Sequence, residues 1–522
     1  MVDAVKTRPI AATNSHESIA SAQRLRQPFI KNFIQRFQKA SSSQAIEITK
    51  NPNVARFVRS RPFQFLLILP NQIIFWTVII VGLIGTVIPG LNFATAITWY
   101  IWFCVVFVLM VVIGRAWCAM CPFGGFAEWV QRKTLWKRLQ KSLGLGIKVP
   151  QPITKYGLIT SVIIFILVTY VEEYYNIAGP GVPHATSWLV VGIVTSALIF
   201  FLVFERRSFC RYFCPLSALI GTIGSTGSVA GFRTKDRQLC AICPTKDCMR
   251  GGTEGYGCPW YTWPGSAESN ALCGLCSECY KACPYDNVGL FAQKPLSSIV
   301  NVHRRRMDIA LGVALLWGLV LFQQINATNA YNTVDNWLNS TLHFPQYPNP
   351  VDYFGIIGAV TVLMLLIVGL IVKAFESNIH IQHIKTPNTF IDRITKFRSI
   401  FMPLMYGLIP VVGADYFARQ LPKFFKHAPR LVPAIEGIFG FGSTHSPLYT
   451  MRILSNTNII IAQVVVIGLG TLASIWAVHK IFQSEPNQFT GNRTLLRLAG
   501  TLVALACGIA AGYLYVIMQA AS

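Results

Sequence analysis

Charge is scarce in this sequence: only 13% of its 522 residues are Asp, Glu, Lys or Arg, and just 21 are acidic. Ordinary soluble domains carry about a quarter charged residues, so a soluble globule of this size is excluded. Residues 1–62 hold eleven Lys/Arg against three acids and no leading apolar stretch. The expectation is an uncleaved N-terminus that stays in the cytoplasm. No histidine sits in the middle of an apolar run, which excludes a haem b held between helices by imidazoles. The stretch Gly221-Thr-Ile-Gly224-Ser-Thr-Gly227 has no Lys-Ser/Thr after it and no strand before it. It is therefore not a phosphate loop, and close packing beside the second Cys-Pro pair accounts for it.

What the chain has in abundance is apolar sequence, 53% of the total with a mean hydropathy of +0.47. A helix needs about 20 apolar residues to cross a bilayer core. Such runs fall near Phe65 to Ile88, Ala96 to Ile113, Tyr156 to Val171, Trp188 to Phe204, Ile309 to Ile325, Phe354 to Val372, Ile459 to Val478 and Leu495 to Met518. A ninth run, Ile400 to Val412, is broken by Pro403 and Pro410. It reads equally as a crossing or as a discontinuous helix. The formal charge of +24 is spread between the runs, which is the positive-inside bias of a membrane protein, and no nucleic acid is implied.

The same bias places the loop after Ile113 and the segment after Phe204 in the cytoplasm, within a cytoplasmic (inner) membrane crossed several times. Lipid is thus the first partner. Phe29, Ile30, Phe33, Ile34 and Phe37 fall at helical spacing among Lys31, Arg36 and Lys39. That segment is either an interfacial helix on anionic lipid or a disordered basic tail. The expected division is a basic N-terminal segment 1–62, a four-helix half 63–215, a cysteine-rich module 216–303 and a C-terminal membrane region 304–522 with four or five helices. In fold class this is an α-helical integral membrane protein of eight or nine spans, with an inserted cytoplasmic ferredoxin-like α+β module.

Twelve of the fourteen cysteines fall in four groups. Cys104 and Cys507 lie alone in apolar spans as packing residues. The run Cys273-Gly-Leu-Cys276-Ser-Glu-Cys279-Tyr-Lys-Ala-Cys283-Pro284 has the C-x2-C-x2-C-x3-C-P spacing of bacterial ferredoxins, whose fourth cysteine ligates a second cluster. Cys240, Cys243, Cys248 and Cys258, the last followed by Pro259, supply the partner set. Exchanging fourth ligands gives one [4Fe-4S] cluster on Cys258, Cys273, Cys276 and Cys279, and another on Cys240, Cys243, Cys248 and Cys283. The first group departs from the simple spacing, with four residues before Cys248 and nine before Cys258. A zinc ribbon also uses C-x2-C pairs, but eight cysteines within 44 residues suit paired clusters better than one tetrahedral ion. A reducing compartment disfavours disulfides.

Two further pairs follow the second and fourth spans: Arg115-Ala-Trp-Cys118-Ala-Met-Cys121-Pro122 and Arg207-Ser-Phe-Cys210-Arg-Tyr-Phe-Cys214-Pro215. Each reads Arg, any residue, aromatic, Cys, a short gap, Cys-Pro. The first four spans are therefore two copies of one unit. Cys118, Cys121, Cys210 and Cys214 could share a mononuclear iron or another iron-sulfur cluster, act as a redox dithiol pair, or be structural. Arg115, Arg207 and Arg211 would favour their thiolates.

Over Gly114 to Pro284 the chain resembles the NapH and NosR type of polyferredoxin membrane proteins: two Cys-Pro pairs after membrane helices, then a double ferredoxin loop before another helix. The resemblance implies an electron conduit or a quinol dehydrogenase-like oxidoreductase subunit. It would pass electrons between a cytoplasmic or quinol donor and a membrane or periplasmic redox partner, such as a reductase, cytochrome or oxidase, with a quinone as cofactor. Two departures stand out: the chain has no Thr-bearing flavin-attachment motif or large external domain before the first span, and its C-terminal membrane region is longer than in the NapH type. Two other readings stay open. One is a metal-reducing maturation factor for a respiratory metalloenzyme, the other a redox-sensing transporter.

Of the remaining polar residues, His184, His343, His427 and His445 fall in external segments and could bind copper, though loop histidines are usually plain surface. Asp415 reads as a helix-end cap facing water rather than a proton-active acid.

Overall fold

The computed structural model describes residues 45–88, 90–135, 143–179, 182–343, 348–376, 379–380, 390–484, 490–491 and 493–520. The amphipathic pattern at 29–37 lies outside them. Among the described residues, nine helical segments are long and apolar enough to cross a bilayer. The architecture is a multi-span helical membrane protein with a small α+β insert.

The first strand, β1 (Ile46–Glu47), precedes four spans: α1 (Phe63–Ile84), α2 (Phe93–Ile113), α3 (Gly157–Tyr174) and α4 (Pro183–Val203). At about 1.5 Å rise per residue, each of these four reaches roughly 27 Å or more. That is close to a hydrocarbon core. Polar groups inside them are used for docking. Gln72 of α1 donates to the Pro122 carbonyl at 2.7 Å, and Ser161 of α3 donates to the Cys214 carbonyl at 2.6 Å. Each Cys-Pro turn is thus pinned by the first helix of its own unit.

The insert is built on strands β2 (Val229–Thr234) and β3 (Val288–Ala292), which pair antiparallel, with β1 on the other side of β3. The end of the basic N-terminal segment is therefore part of the insert's sheet, and Arg59 reaches Asp286 across to it.

The C-terminal region holds α5 (Met307–Ile325), α6 (Pro350–Glu376), α7 (Phe390–Gly407), α8 (Ile409–His427), α9 (Asn456–Ser484) and α10 (Arg493–Ala520). The proline-broken run resolves into α7 and α8, with Pro410 in the first turn of α8, where its missing N–H costs nothing. Short strands β4 (Ile379–His380) and β5 (Thr490–Gly491) pair after α6 and α9. The pairing brings the ends of α6 and α9 together.

Asp415 does not cap a helix end. It lies in the second turn of α8 and is fully buried between α5 and α10. The helix runs on past the apolar stretch to His427, so the residue lies inside it and not at its end.

Candidate iron-sulfur site

Positions on α2 and α4 set the site. Gly114 ends α2 at φ +81°, and a Cβ there would stand 2.7 Å from Asn270 Nδ2 and 2.9 Å from the Gly224 carbonyl. Only glycine permits this turn, which leads directly into Arg115. The glycines of the 221–227 stretch do pack closely, against Gly114 and Arg115 of the first unit. Gly221 touches Arg115 Nη1, and Gly224 faces Gly114.

The two Cys-Pro units converge on one backbone geometry. Cys121 precedes the helix Pro122–Arg132 with φ −67° and ψ 124°, and Cys214 precedes Pro215–Ile223 with φ −62° and ψ 123°. The second pair has one extra residue, and the turn Phe209–Phe213 absorbs it by widening to π-type hydrogen bonding. Each arginine then reaches into the other unit. Arg207 Nη1 donates to the Cys118 carbonyl at 3.3 Å, while Arg115 Nη2 donates to the Cys210 carbonyl at 3.5 Å. Arg207 also pairs with Glu128 on the first unit's helix, and Arg115 with Ser217 on the second's.

Both guanidiniums are 1% exposed. Arg115 Nε lies 3.3 Å from Cys118 Sγ, and its plane stacks on Trp260 at 4.3 Å. Arg211, expected to serve the same pair, turns instead to the Trp260 carbonyl and toward Cys258. Burial pushes the thiols up, Cys121 to about 11 and Cys214 to about 12. Thiolates here need positive charge brought to them.

Cys118, Cys121, Cys210 and Cys214 together line the floor of an apolar cavity of about 170 Å³. In the insert, Cys240, Cys243, Cys248 and Cys283 line a small pocket of their own. Cys258, Cys276, Cys273 and Cys248 all lie close enough to Cys279 for their charge to oppose ionisation there. Cys104 and Cys507 stand apart, buried in α2 and α10.

The surroundings suit sulfur-ligated clusters. Backbone N–H groups of Thr262 and Asn287 point at Cys258 and Cys283 Sγ at 3.4 and 3.3 Å, and Asn287 Nδ2 reaches Cys240 Sγ at 3.4 Å. Thr234 Oγ1 lies 2.9 Å from Cys240 Sγ. Gly231, at φ +89°, and Gly124 leave room at Cys273 and Cys210, where a Cβ would stand 2.8 and 3.0 Å from sulfur. A single zinc ion at about 2.3 Å from each sulfur would draw four thiolates to within about 4 Å of one another. Among the described residues, no three His, Cys, Asp or Glu side chains are placed to hold one ion. Of the four loop histidines, His427 packs on Tyr100 at 4.9 Å, while His184, His343 and His445 lie exposed.

Both Cys-Pro units match one family model. Its description is a 4Fe-4S binding domain, and the matched residues are 95–142 and 185–230. The two matches cover the second helix and cysteine pair of each unit. The chain is a multi-span membrane protein with a 4Fe-4S binding domain, able in general to carry electrons. Over 187 residues, 35% of its length, it is 26% identical to uncharacterized protein MJ0750 of Methanocaldococcus jannaschii, covering 74% of that protein. No solved structure matches.

Two residues central to the site escape a search for cysteines. Glu128 is the sole acid between Gly114 and Pro150, and that isolation was its signal. Trp260 had none beyond following Cys258-Pro259.

Proposed function

We propose that this chain is a membrane electron conduit of the NapH/NosR type, with three [4Fe-4S] clusters in series. Cys240, Cys243, Cys248 and Cys283 would hold the first. Cys258, Cys273, Cys276 and Cys279 would hold the second, and Cys118, Cys121, Cys210 and Cys214 the third. Bound clusters supply one-electron transfer at potentials set by charge, hydrogen bonding and burial. The division into segments 1–62, 63–215, 216–303 and 304–522 and an insert facing the cytoplasm belong to the same proposal.

The observation that carries it is continuity. One buried apolar cluster contains Cys248, Cys258, Trp260, Cys276 and Cys279, with Cys118, Cys210, Cys273 and Cys283 packed at its edge. Arg207 lies within electrostatic reach of both Cys210 and Cys276, and Cys248 lies within reach of Cys258. The chain's own apolar residues thus pack around thiols of all three sets, and the Arg207–Glu128 pair stands beside two of them.

A quinone in the apolar cavity would join this line to the lipid phase. Trp99, Trp102, Phe103 and Phe107 line its walls, and Glu172, Arg419 and Lys423 add polar groups away from the cysteines. Such a site, apolar with a few convergent polar groups, suits a ring with two oxygens. The partner at the far end is a reductase, cytochrome or oxidase.

Iron and acid-labile sulfide in the purified protein, with EPR during graded reduction, test the proposal. Twelve iron and twelve sulfide with three cluster signals are expected. Eight of each would remove the third cluster, and zinc without sulfide would overturn the whole. Fast reoxidation of the reduced protein by a quinone analogue supports the cavity assignment, and reoxidation by Cu(II) alone points instead to metal reduction.

A further inference from the structure

The cysteine line leaves one buried acid unused. Asp415 is 0% exposed, and so is Gln324 of α5. Gln324 Nε2 donates to Asp415 Oδ1, and Tyr515 Oη of α10 lies 3.2 Å from both the carboxyl Oδ1 and the main-chain carbonyl of Asp415. The other two atoms of this side-chain pair, Asp415 Oδ2 and Gln324 Oε1, are both buried without a hydrogen-bond partner. Both are acceptors. Two orphaned acceptors within one acid–amide pair is a costly arrangement in a dry bundle.

A single proton resolves it. On Asp415 Oδ2 it would donate to Gln324 Oε1, closing a cyclic acid–amide pair with two parallel hydrogen bonds. The carboxyl would then be neutral, which a membrane interior favours. We propose that Asp415 is a proton-binding site within the membrane, held as the neutral acid by Gln324.

The site is placed for exchange. Asp415 is one turn before Arg419 on α8, and Tyr416 and Arg419 line the cavity described above. Loss of the proton breaks the Oδ2–H bond, sends the proton to water, and leaves a carboxylate attracted to Arg419. The titratable and charged groups facing Asp415 are Arg419 and Tyr416 on α8, with Tyr515 and Cys507 on α10. Arg419 is the sole cation in that set, and it is itself bound to the Gln323 carbonyl at 2.6 Å. This inference is independent of the cluster assignments.

Infrared spectroscopy of the full-length protein in lipid tests it, by the carbonyl stretch of a protonated carboxylic acid. At neutral pH the native protein is expected to show such a band that shifts in D₂O, is absent from Asp415→Asn and moves in frequency in Gln324→Leu. Asparagine can reproduce both hydrogen bonds of the neutral acid, so Asp415→Asn should melt near the native temperature while Asp415→Leu melts lower. No band sensitive to Asp415→Asn across the neutral range would overturn the proposal. So would a band abolished by sodium at fixed pH, since a metal cation would then occupy the two orphaned oxygens.

Discussion

The two Cys-Pro units share a backbone and differ in how they balance charge. Three and seven residues after the Cys-Pro cysteine, the first unit has Gly124 and Glu128, and the second has Ser217 and Gly221. The acceptor and the small residue have exchanged places. In the first unit, Glu128 ties down Arg207 and Gly124 makes space near it. In the second, Ser217 holds Arg115 and Gly221 makes the space. Arg207 is thereby neutralised by a carboxylate, whereas Arg115 keeps its charge for Cys118 and the face of Trp260. Fold symmetry is thus compatible with electrostatic asymmetry: each arginine bridges the units, one paired with a carboxylate and the other held by neutral groups beside a sulfur.

The comparison breaks most visibly at the thiols. If both pairs bind one shared cluster, Cys121→Ala and Cys214→Ala should each remove that cluster's full iron and sulfide. Iron analysis and EPR would show two surviving clusters in both variants. Loss in one variant alone would mean that the pairs work separately.

Next in size is the buried ion pair. Glu128→Gln leaves Arg207 charged and unpaired at 1% exposure, a change that typically costs about 3–5 kcal/mol. Ser217→Ala, its counterpart, should cost about 1 kcal/mol. Thermal or denaturant unfolding in detergent would measure both. The pair also sets a pH dependence. Burial alone would raise the Glu128 pKa, but Arg132 and Arg207 outweigh it and hold the carboxyl below its ordinary value. Its stabilisation is therefore present above the usual carboxylate range near about 4.3 and fades as pH falls through the lower folded value. Glu128→Gln should flatten the acid limb of the stability profile.

Arg115 tests the electrostatic half of the comparison. Its charge stabilises added electrons on the sulfurs beside it, so Arg115→Met should lower the reduction potential of the membrane-proximal cluster. A shift of about 60 mV, tenfold for a one-electron couple, is the scale expected. Potentiometric EPR would read it. A smaller shift in Arg207→Met with Glu128→Gln together would confirm that Arg207 is already neutralised.

Much of this was legible in the sequence because sulfur ligation is local. The spacing of Cys273, Cys276, Cys279 and Cys283 constrains the loop, and the proposed grouping with Cys240, Cys243, Cys248 and Cys258 rests on it. The apolar runs gave eight helices within a few residues of their ends. What could not be read depends on contacts between distant segments. The Arg207–Glu128 pair spans 79 residues and the Asp415–Gln324 pair spans 91. Neither has a period or a spacing. Asp415 is buried where the apolar pattern suggests a cap, because that pattern stops at Val412 while the helix itself continues to His427. The strand β1 escaped for a related reason: two residues, Ile46–Glu47, show no alternation until β3 pairs with them.

The smallest effect bears on the backbone equivalence itself. Pro122 and Pro215 each occupy the first helical position after a cysteine, where proline's fixed φ matches the helix and its missing N–H is not needed. Replacing either with alanine leaves the folded geometry intact and gives the unfolded chain more freedom, a loss of about 0.4–1 kcal/mol. Because Cys121 and Cys214 have nearly the same φ and ψ, the two losses should be equal within error. Deleting the residue that the π-type turn absorbs would shift Cys214 out of that register. A second unit that tolerated the deletion without losing iron would show that its cysteine does not need the conformation it shares with Cys121.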